Sequence, residues 1–566
     1  KFRIRVVAAG LAAAAGELVE ADAAAEERAV LLFKRAGEIR VVARAHVAGE
    51  HAAVAQAAAH GQLAVIRRAG IQLGDSVFQN YEGITKVTFP STLTTIGNLA
   101  FSGCVNLTSV AIPAVDAIGN EAFRGCKSLS SATIADGVTA IPDYCFAGCT
   151  SLQSVAVPSN TLKSIGKYAF SSCGSLENFN YIVNGIVKEN AVGLFEIPNG
   201  VVSIDDFAFE ACIGIKSLII SETVSYIGGS AFITSTNLKE VSVADGQTPL
   251  FINAGAFKEL TNLTTVTLNR ATYLGQGAFE RTGISRISLP STLTEIDKYC
   301  FRDSALEELT FVPSKLKIGE SAFGNCEKLK TVDMMVSEDG VGIYDIGKTA
   351  FESCTALTEI VIPSTITNMG EKAFQNCTSL ADVTISEGAQ YIGIKAFLND
   401  PITEITIPSS VTNMTSAFEN HAMLSKAVIS CADVSSKAFN GCKVLSSVKL
   451  NDGVKSISES AFAGCAAITT IDLPESTTTL KSGAFSMCTG LVNFNGRNRV
   501  DLHALSAIGT SAFSGCSAIN NVTWADSVTT VSHGVFSGCT SLSNIKLSNN
   551  VTIIGDTSFN GTALKE

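Results

Sequence analysis

A short apolar pattern recurs along most of this chain of 566 residues. IGNEAFRGCKSLSSATI (118–134), IGKTAFESCTALTEIVI (346–362) and IGTSAFSGCSAINNVTW (508–524) are near-copies of one another. A phenylalanine in the pattern A-F-x-x-C, or in a variant of it, anchors each copy. There are 21 such anchors, most of them 21 to 25 residues apart. Repeats of this length build solenoids, in which every copy forms one coil.

The anchors define the register of all other positions in the repeat. They are Phe78, Phe101, Phe123, Phe146, Phe170, Phe209, Phe232, Phe257, Phe279, Phe301, Phe323, Phe351, Phe374, Phe397, Phe418, Phe439, Phe462, Phe485, Phe513, Phe536 and Phe559. The unit reads A-F-x-x-C-x-x-L-x-x-V-x-I-P-x-x-V-x-x-I-G. V-x-I predicts a short strand with both apolar side chains on one face, since β-branched residues favour strands and alternate residues share a face. The proline ends the strand because it has no N–H to donate.

The repeat therefore predicts the fold class. One coil cannot bury its own apolar side, so neighbouring copies must bury it for one another. We expect an α/β-type repeat solenoid, an arc of about 21 coils with one parallel β-sheet face, over residues 71–566. The longest gap between anchors, at 180–200, has two apolar runs around a Gly and an Asn, and it predicts an inserted hairpin or loop.

Residues 1–70 do not belong to the repeat, because they contain no Ser, Thr, Pro, Asn, Cys or Tyr. Their alanine-rich composition predicts a helical N-terminal segment or cap. Three alternatives stay open. AAAHGQLAVIRRAG (57–70) is similar to half of an ankyrin repeat, the basic and apolar start has the outline of a secretory signal, and alanine could stand in for residues of undetermined identity.

FPSTLTTIGNLAFSGCVNLTSVAIP (89–113) resembles the BspA-like, or Treponema pallidum-type, class of leucine-rich repeat proteins. The resemblance covers roughly residues 71–566, and residues 1–70 fall outside it. It implies a non-enzymatic surface or secreted protein of bacteria or of some protists, with a role in adhesion to proteins, cells or matrix. The class has no catalytic residues to carry over to this chain.

Motifs for catalysis and metal binding are absent from the sequence. It contains no H-E-x-x-H, G-x-x-x-x-G-K-[ST], G-x-S-x-G or EF-hand loop, and the repeats hold only His421, His503 and His533. We therefore predict no catalytic, cofactor-binding or metal-binding residues. The net charge of −11 argues against nucleic acid as a partner. No transmembrane segment is predicted, since no uncharged apolar stretch of the required length follows residue 16.

Cysteine recurs at one position of the repeat, three residues after the anchor. Equivalent positions of stacked coils are close enough for a disulfide, but their Cβ atoms point the same way, which is poor geometry for one. We interpret these cysteines as small buried residues rather than as a disulfide ladder or metal ligands. They are Cys104, Cys126, Cys149, Cys173, Cys212, Cys326, Cys354, Cys377, Cys442, Cys465, Cys488, Cys516 and Cys539.

The outward strand positions are the candidate partner-binding site, because several of them carry charge. A stripe with this many acids attracts a basic partner, although simple solvation of the surface explains it equally. The stripe comprises Glu240, Arg286, Glu307, Glu308, Glu359, Asp382 and Glu404. Sequons for N-glycosylation occur at Asn106, Asn262, Asn376, Asn413, Asn521, Asn550 and Asn560.

Two functions remain open from the sequence. The first is a non-enzymatic adhesion protein of the cell surface or extracellular space that presents its sheet face to a protein or glycan partner. The alternative is a structural or scaffold subunit of a larger filament, or of an intracellular, cytoskeletal assembly, with self-assembly through open solenoid ends.

Overall fold

The computed structural model describes residues 17–21, 29–35, 38–45, 71–183, 185–190, 194–494 and 500–565. The chain divides into two compact units, unit 1 (Lys1–Gly283) and unit 2 (Ile284–Glu566). Each unit is a stack of coils. Most coils contribute one strand, V-x-I in the repeat, to a major column, and a second strand, which ends at the isoleucine of I-G, to a minor column.

Of the strands that the described residues form, 22 belong to unit 1. They are β1 (Glu17–Ala21), β2 (Ala29–Arg35), β3 (Glu38–Ala45), β4 (Ile71–Leu73), β5 (Lys86–Thr88), β6 (Leu93–Ile96), β7 (Ser109–Ile112), β8 (Ala117–Ile118), β9 (Ser131–Ile134), β10 (Ala140–Ile141), β11 (Ser154–Pro158), β12 (Ser164–Ile165), β13 (Asn178–Val183), β14 (Ile186–Lys188), β15 (Leu194–Ile197), β16 (Ser203–Ile204), β17 (Ser217–Ile220), β18 (Tyr226–Ile227), β19 (Glu240–Val243), β20 (Leu250–Ile252), β21 (Thr265–Thr267) and β22 (Ala271–Leu274). Its major column consists of the parallel runs β5-β7-β9-β11-β13 and β15-β17-β19-β21. Its minor column consists of β4-β6-β8 and β10-β12-β16-β18-β20-β22.

Unit 2 contains the remaining 23 strands. They are β23 (Arg286–Leu289), β24 (Glu295–Ile296), β25 (Glu308–Phe311), β26 (Leu316–Ile318), β27 (Thr331–Met334), β28 (Ile343–Ile346), β29 (Glu359–Ile362), β30 (Asn368–Met369), β31 (Asp382–Ile385), β32 (Glu404–Ile407), β33 (Lys426–Ile429), β34 (Asp433–Val434), β35 (Ser447–Leu450), β36 (Ser456–Ile457), β37 (Thr470–Ile471), β38 (Thr479–Leu480), β39 (Asn493–Phe494), β40 (Val500–Asp501), β41 (Ala507–Ile508), β42 (Asn521–Thr523), β43 (Thr530–Val531), β44 (Asn544–Lys546) and β45 (Ile553–Ile554). The major column runs β23-β25-β27, β29-β31, β32-β33-β35, β37-β39 and β40-β42-β44, and the minor column runs β24-β26-β28-β30, β34-β36-β38-β41 and β43-β45.

The core of each unit is a column of stacked phenylalanine rings. Successive anchors lie with ring centroids 5.1 to 5.5 Å apart from Phe78 to Phe279. In unit 2 the same spacing is 5.1 to 6.0 Å from Phe301 to Phe559. Most anchors have no exposed surface. Each ring therefore buries the faces of its two neighbours, and this burial is what one coil cannot achieve alone.

The side of the coil opposite the major column is built from turns. Residues two before and two after an anchor adopt left-handed backbone conformations, as Leu99 (φ 57°) and Gly103 (φ 75°) do around Phe101. Two such residues in each coil interrupt any helix. The backbone groups bond to the next coil instead, for example from Phe101 N–H to the Ala122 carbonyl at 2.8 Å. No α-helix occurs in the residues that the structure describes, so the α part of the predicted α/β class is wrong there.

The helix predicted for residues 1–70 is wrong in the parts that are described. β1 pairs with β2 and β2 with β3 in antiparallel fashion, and β3 pairs in parallel with β5 of the first coil. The sequences of β2 (AVLLFKR) and β3 (EIRVVARA) contain several β-branched and aromatic residues, which favour strands. The edge of β5 has unpaired backbone groups with which β3 can form hydrogen bonds. Tertiary pairing thus overrides the helix propensity of alanine. The ankyrin-like stretch and the first 16 residues lie outside the described residues.

The long gap between Phe170 and Phe209 opens with a hairpin. β13 turns back into β14 through Gly185 (φ 75°), and the two strands pair antiparallel with Ile182 opposite Val187. β14 exposes Ile186 and Val187 to solvent. β15 then resumes the parallel column by pairing with β17.

The glycine of I-G holds the coils at close range. A Cβ added to Gly119 would lie 2.3 Å from the backbone nitrogen of Asn98 in the preceding coil. Gly97, Gly370 and Gly393 meet the backbone of their preceding coils in the same way, at 2.1 to 2.4 Å. Real Cβ atoms do not approach a backbone so closely, so in these coils a larger residue would force a shift of the stack, although other coils place residues such as Pro142 and Asn253 at this position.

We expect Gly119→Ala to lower the free energy of unfolding by about 1–3 kcal/mol, because the added methyl group pushes two coils apart. Equilibrium urea unfolding of the full chain measures the change. Gly174→Ala in the same unit is the matched control, since its Cβ would meet only Ile213 Cγ1 at 3.6 Å. Equal effects of the two substitutions would show that close approach between coils is not the reason for glycine.

Candidate partner-binding face

The outward positions of the major column form a flat surface because the inward positions are fixed by the core. In β29 the exposed Glu359 and Val361 alternate with the buried Ile360 and Ile362. β31 repeats the pattern in register, so that Glu359 lies opposite Asp382. Glu359, Asp382 and Glu404 of the predicted stripe are thus exposed on the surface of unit 2.

Strand register pairs several members of the stripe with bases. Arg286 binds Glu308 at 2.9 Å on the neighbouring strand. Lys330 binds Glu307 at 2.8 Å, and this hydrogen bond lowers the pKa of the Glu307 carboxyl. The local charge of these positions is therefore balanced, and such exposed pairs contribute little to stability.

Glu404 is balanced in the same way, because Lys426 of β33 binds it at 2.6 Å.

In unit 2, Glu359 and Asp382 are the uncompensated members of the stripe. Neither carboxylate takes part in an ion pair within the portion of the chain that the structure describes. Val361 lies two residues after Glu359 on the same strand, opposite Thr384 on the paired strand, with 56% of its surface exposed. This patch, hereafter the acidic face, combines two adjacent negative charges with an exposed apolar side chain. Glu240 is also exposed, on β19 of unit 1, between Ser217 and Thr265.

Three sequon asparagines form hydrogen bonds to the backbone of preceding coils. The side-chain amides of Asn106, Asn262 and Asn550 each donate a hydrogen bond of 2.8 to 2.9 Å to a carbonyl 24 or 26 residues earlier. A glycan would replace one of the two hydrogens on a nitrogen that is already bonded to the backbone. Their geometry therefore favours a structural role for these three asparagines.

The cysteines of the repeat form a column of thiol donors beside the phenylalanines. All 16 cysteines are buried and free. Cys377 donates its thiol hydrogen to the carbonyl of Phe351, the anchor of the preceding coil, at 3.2 Å. Ser235 stands at the same position and makes the same bond to Phe209 at 2.8 Å. Burial raises the pKa of the Cys104 thiol to about 12, so this thiol is a poor nucleophile and a poor metal ligand. The described residues contain no cluster that could hold a metal ion.

Two successive coils replace this cysteine with ionisable groups. Asp400 and His421 are each 2% exposed, and Asp400 Oδ2 and His421 Nε2 have no hydrogen-bond partner among the described residues. Asp400 Oδ1 accepts from the Cys377 N–H at 2.8 Å. Burial raises the pKa of Asp400 from 3.8 to about 9 and lowers the pKa of His421 from 6.5 to about 4. Both groups are therefore neutral at pH 7.

We expect unmodified thiols in the native chain, because every cysteine is buried. Iodoacetamide should label none of the 16 cysteines until the chain unfolds, as peptide mass spectrometry would show. A cysteine introduced at exposed Lys443 (Lys443→Cys) is the positive control and should react at once. Rapid labelling of the native cysteines would contradict the packing of this column.

The stability of unit 2 should depend on pH through Asp400. Its folded pKa lies above the unfolded one, so the folded state holds the proton, and stability falls as pH rises from about 4 to about 9. Asp400→Asn keeps the acceptor for Cys377 and removes this titration. We expect the variant to be more stable than the parent by about 2 kcal/mol or more at pH 8, and by little at pH 4.

Urea unfolding at the two pH values measures the Asp400 effect. Asp339→Asn, which changes an exposed acid in a loop of the same unit, is the control and should not reproduce the gain in stability at pH 8. His421 acts in the opposite direction, because protonation below pH 6.5 is easier in the unfolded chain, and it lowers stability toward pH 4. An unchanged slope in Asp400→Asn would contradict a neutral buried carboxyl.

Sequence analysis missed an aromatic surface in unit 1. Tyr226, Phe251 and Tyr273 stand at the outward position of three successive minor-column strands, paired in register. The signal was present in the sequence. In SYIG, LFIN and TYLG an aromatic residue directly precedes the buried aliphatic residue that ends the strand, where other repeats have Thr, Ala or Ser.

Coils of about 23 residues, a parallel strand column and buried columns of leucine and phenylalanine define a leucine-rich-repeat solenoid. The family model of the BspA type Leucine rich repeat region (6 copies) matches residues 71–192, 188–307, 294–425, 414–503 and 497–566. The chain belongs to this family. The predicted resemblance is confirmed.

Solved structures of bacterial leucine-rich repeat proteins are similar to this chain. One from Bacteroides ovatus is 23% identical, covers 89% of this chain and 94% of its own, and has a TM-score of 0.30. The T. pallidum leucine-rich repeat protein is 26% identical over 29% of this chain and 78% of its own, with a TM-score of 0.26. A leucine-rich cell surface protein from Faecalibacterium prausnitzii is 18% identical, covers 95% of each chain, and has a TM-score of 0.20. No curated protein matches the chain.

These TM-scores are too low for a functional comparison, so family membership rests on the repeat match. Within the described ranges, the chain has no helix of the length and apolarity that a membrane span requires.

Proposed function

We propose that this chain is a non-enzymatic binding protein that presents the acidic face of unit 2 to a protein or glycan partner at the cell surface or outside the cell. The observation that carries the proposal is the pair Glu359 and Asp382, which have no ion-pair partner among the described residues, beside the exposed Val361. Family membership supports a binding role for such a surface.

The rigid framework makes the acidic face a suitable contact surface. Glu359 and Asp382 stand on strands whose inward side chains, Ile360 and Val383, are buried in the core, so their backbones are held in place. A preorganised surface loses little conformational entropy when a partner binds. Two adjacent carboxylates repel each other and favour a cationic group placed between them.

The proposal predicts that charge reversal on the acidic face abolishes partner binding. The double substitution Glu359→Lys and Asp382→Lys should reduce binding by about tenfold or more, because it replaces attraction of a basic group with repulsion. The immobilised full chain is first exposed to intact cells and to extracellular matrix of its native source. Surface plasmon resonance then measures the affinity of each variant for the protein or glycan that the chain retains.

A matched control uses Glu338→Lys and Asp339→Lys, two exposed acids in a loop of the same unit, which change the net charge equally. Equal loss in both double variants would show a bulk charge effect and contradict the acidic face as the site.

Location is tested separately by protease treatment of intact source cells. Release of solenoid peptides into the medium supports a surface position. Peptides recovered only after lysis, with the chain in a large assembly, would contradict it in favour of a scaffold role.

A further inference from the structure

Unit 1 carries a group of half-buried and exposed aromatic rings with carboxylates nearby. The rings come from two neighbouring positions of the coil: the residue two before the anchor and the outward residue of the minor strand. They are Tyr144, Tyr168, Phe207, Tyr226, Phe251 and Tyr273, hereafter the aromatic face. The first three form one stack, with centroids 4.7 and 4.6 Å apart. Tyr226 and Phe251 are the most open, with 39% and 46% of their surfaces exposed.

Carboxylates line the aromatic face. Asp205 and Asp206 lie within electrostatic range of Tyr226, and Asp206 lies within that range of Tyr168 as well. Lys167 balances part of this charge by binding Asp206 at 3.1 Å. Burial raises the pKa of the Asp205 carboxyl, and the nearby negative charges of Asp143 and Asp206 raise it further. This local negative potential complements a cation, not an anion.

The protein itself shows which cation suits these rings. The Arg124 guanidinium lies over the ring of Tyr144, 5.6 Å from its centroid, at one end of the three-ring stack. Arginine stacks on aromatic faces better than lysine, because its guanidinium is planar and weakly hydrated. Tyr226 and Phe251 offer exposed ring surface one and two coils further on, without such a cation in the described residues.

We propose that the aromatic face binds an arginine-rich polypeptide segment, whose guanidinium groups stack on Tyr226 and Phe251 and pair with Asp205. The ring centroids of Phe251 and Tyr273 on successive coils are 6.4 Å apart, close to the spacing of about 6.8 Å between alternate side chains of an extended peptide, so such a peptide can engage rings of neighbouring coils. This surface is separate from the acidic face of unit 2 and does not depend on the function proposed for it.

Fluorescence anisotropy with labelled octa-arginine and octa-lysine, titrated with the full chain at about 0.1 M salt, tests the proposal. We expect octa-arginine to bind about fivefold or more tightly than octa-lysine. The double variant Tyr226→Leu and Phe251→Leu keeps apolar bulk but removes both rings. It should weaken octa-arginine about tenfold and bring the ratio of the two affinities close to one.

The matched control is Tyr299→Leu and Tyr344→Leu in unit 2, whose rings are already occupied by Arg302 and Lys315. It should leave both affinities unchanged. Thermal unfolding verifies that each variant is folded. Asp205→Asn is a second variant that preserves side-chain shape, and it should weaken both peptides.

Three results would overturn the proposal. One is equal affinity for the two peptides in the parent chain, and another is equal loss in the control and in the Tyr226/Phe251 variant. The third is binding of a neutral glucan hexasaccharide that displaces octa-arginine, which would make the rings a sugar platform.

Discussion

Contact between neighbouring coils is the interaction on which the structure of each unit depends. The anchor rings stack 5.1 to 6.0 Å apart, and backbone groups beside them bond to the next coil, as Phe101 N–H does to the Ala122 carbonyl at 2.8 Å. A smaller residue at the anchor would leave a gap that no other part of a thin coil can fill. The repeat must therefore keep a large ring at this position.

The features that could be predicted from the sequence are those that contact between coils requires. The spacing of Phe and of V-x-I determined the coils and the parallel strands, because burial demands them at every copy. Helices were wrongly expected, since the left-handed conformation of Leu99 or Glu121 is imposed by the stack and not by residue preference. The pairing of Glu404 with Lys426 also escaped prediction, because it depends on which side chains the register places side by side.

Outward positions are free of the constraint that fixes the core, and the two units use this freedom differently. In unit 2 the major column leaves Glu359 and Asp382 without ion pairs beside Val361, and in unit 1 the minor column carries Tyr226 and Phe251. In both surfaces each coil contributes one or two side chains, and the equivalent positions of neighbouring coils contribute the others. A repeat protein can thus acquire a binding surface by single substitutions that leave its packing unchanged.

The thiol column has a consequence for where such a chain can work. Each repeat cysteine donates to a carbonyl of the preceding coil, as Ser235 does at the same position without sulfur. Sulfur chemistry thus contributes nothing that a hydroxyl does not also supply. Neither an oxidising nor a reducing compartment changes the covalent structure of the core, since the fold contains no disulfide to form or break. The folded solenoid therefore keeps the same covalent structure in reducing and in oxidising surroundings.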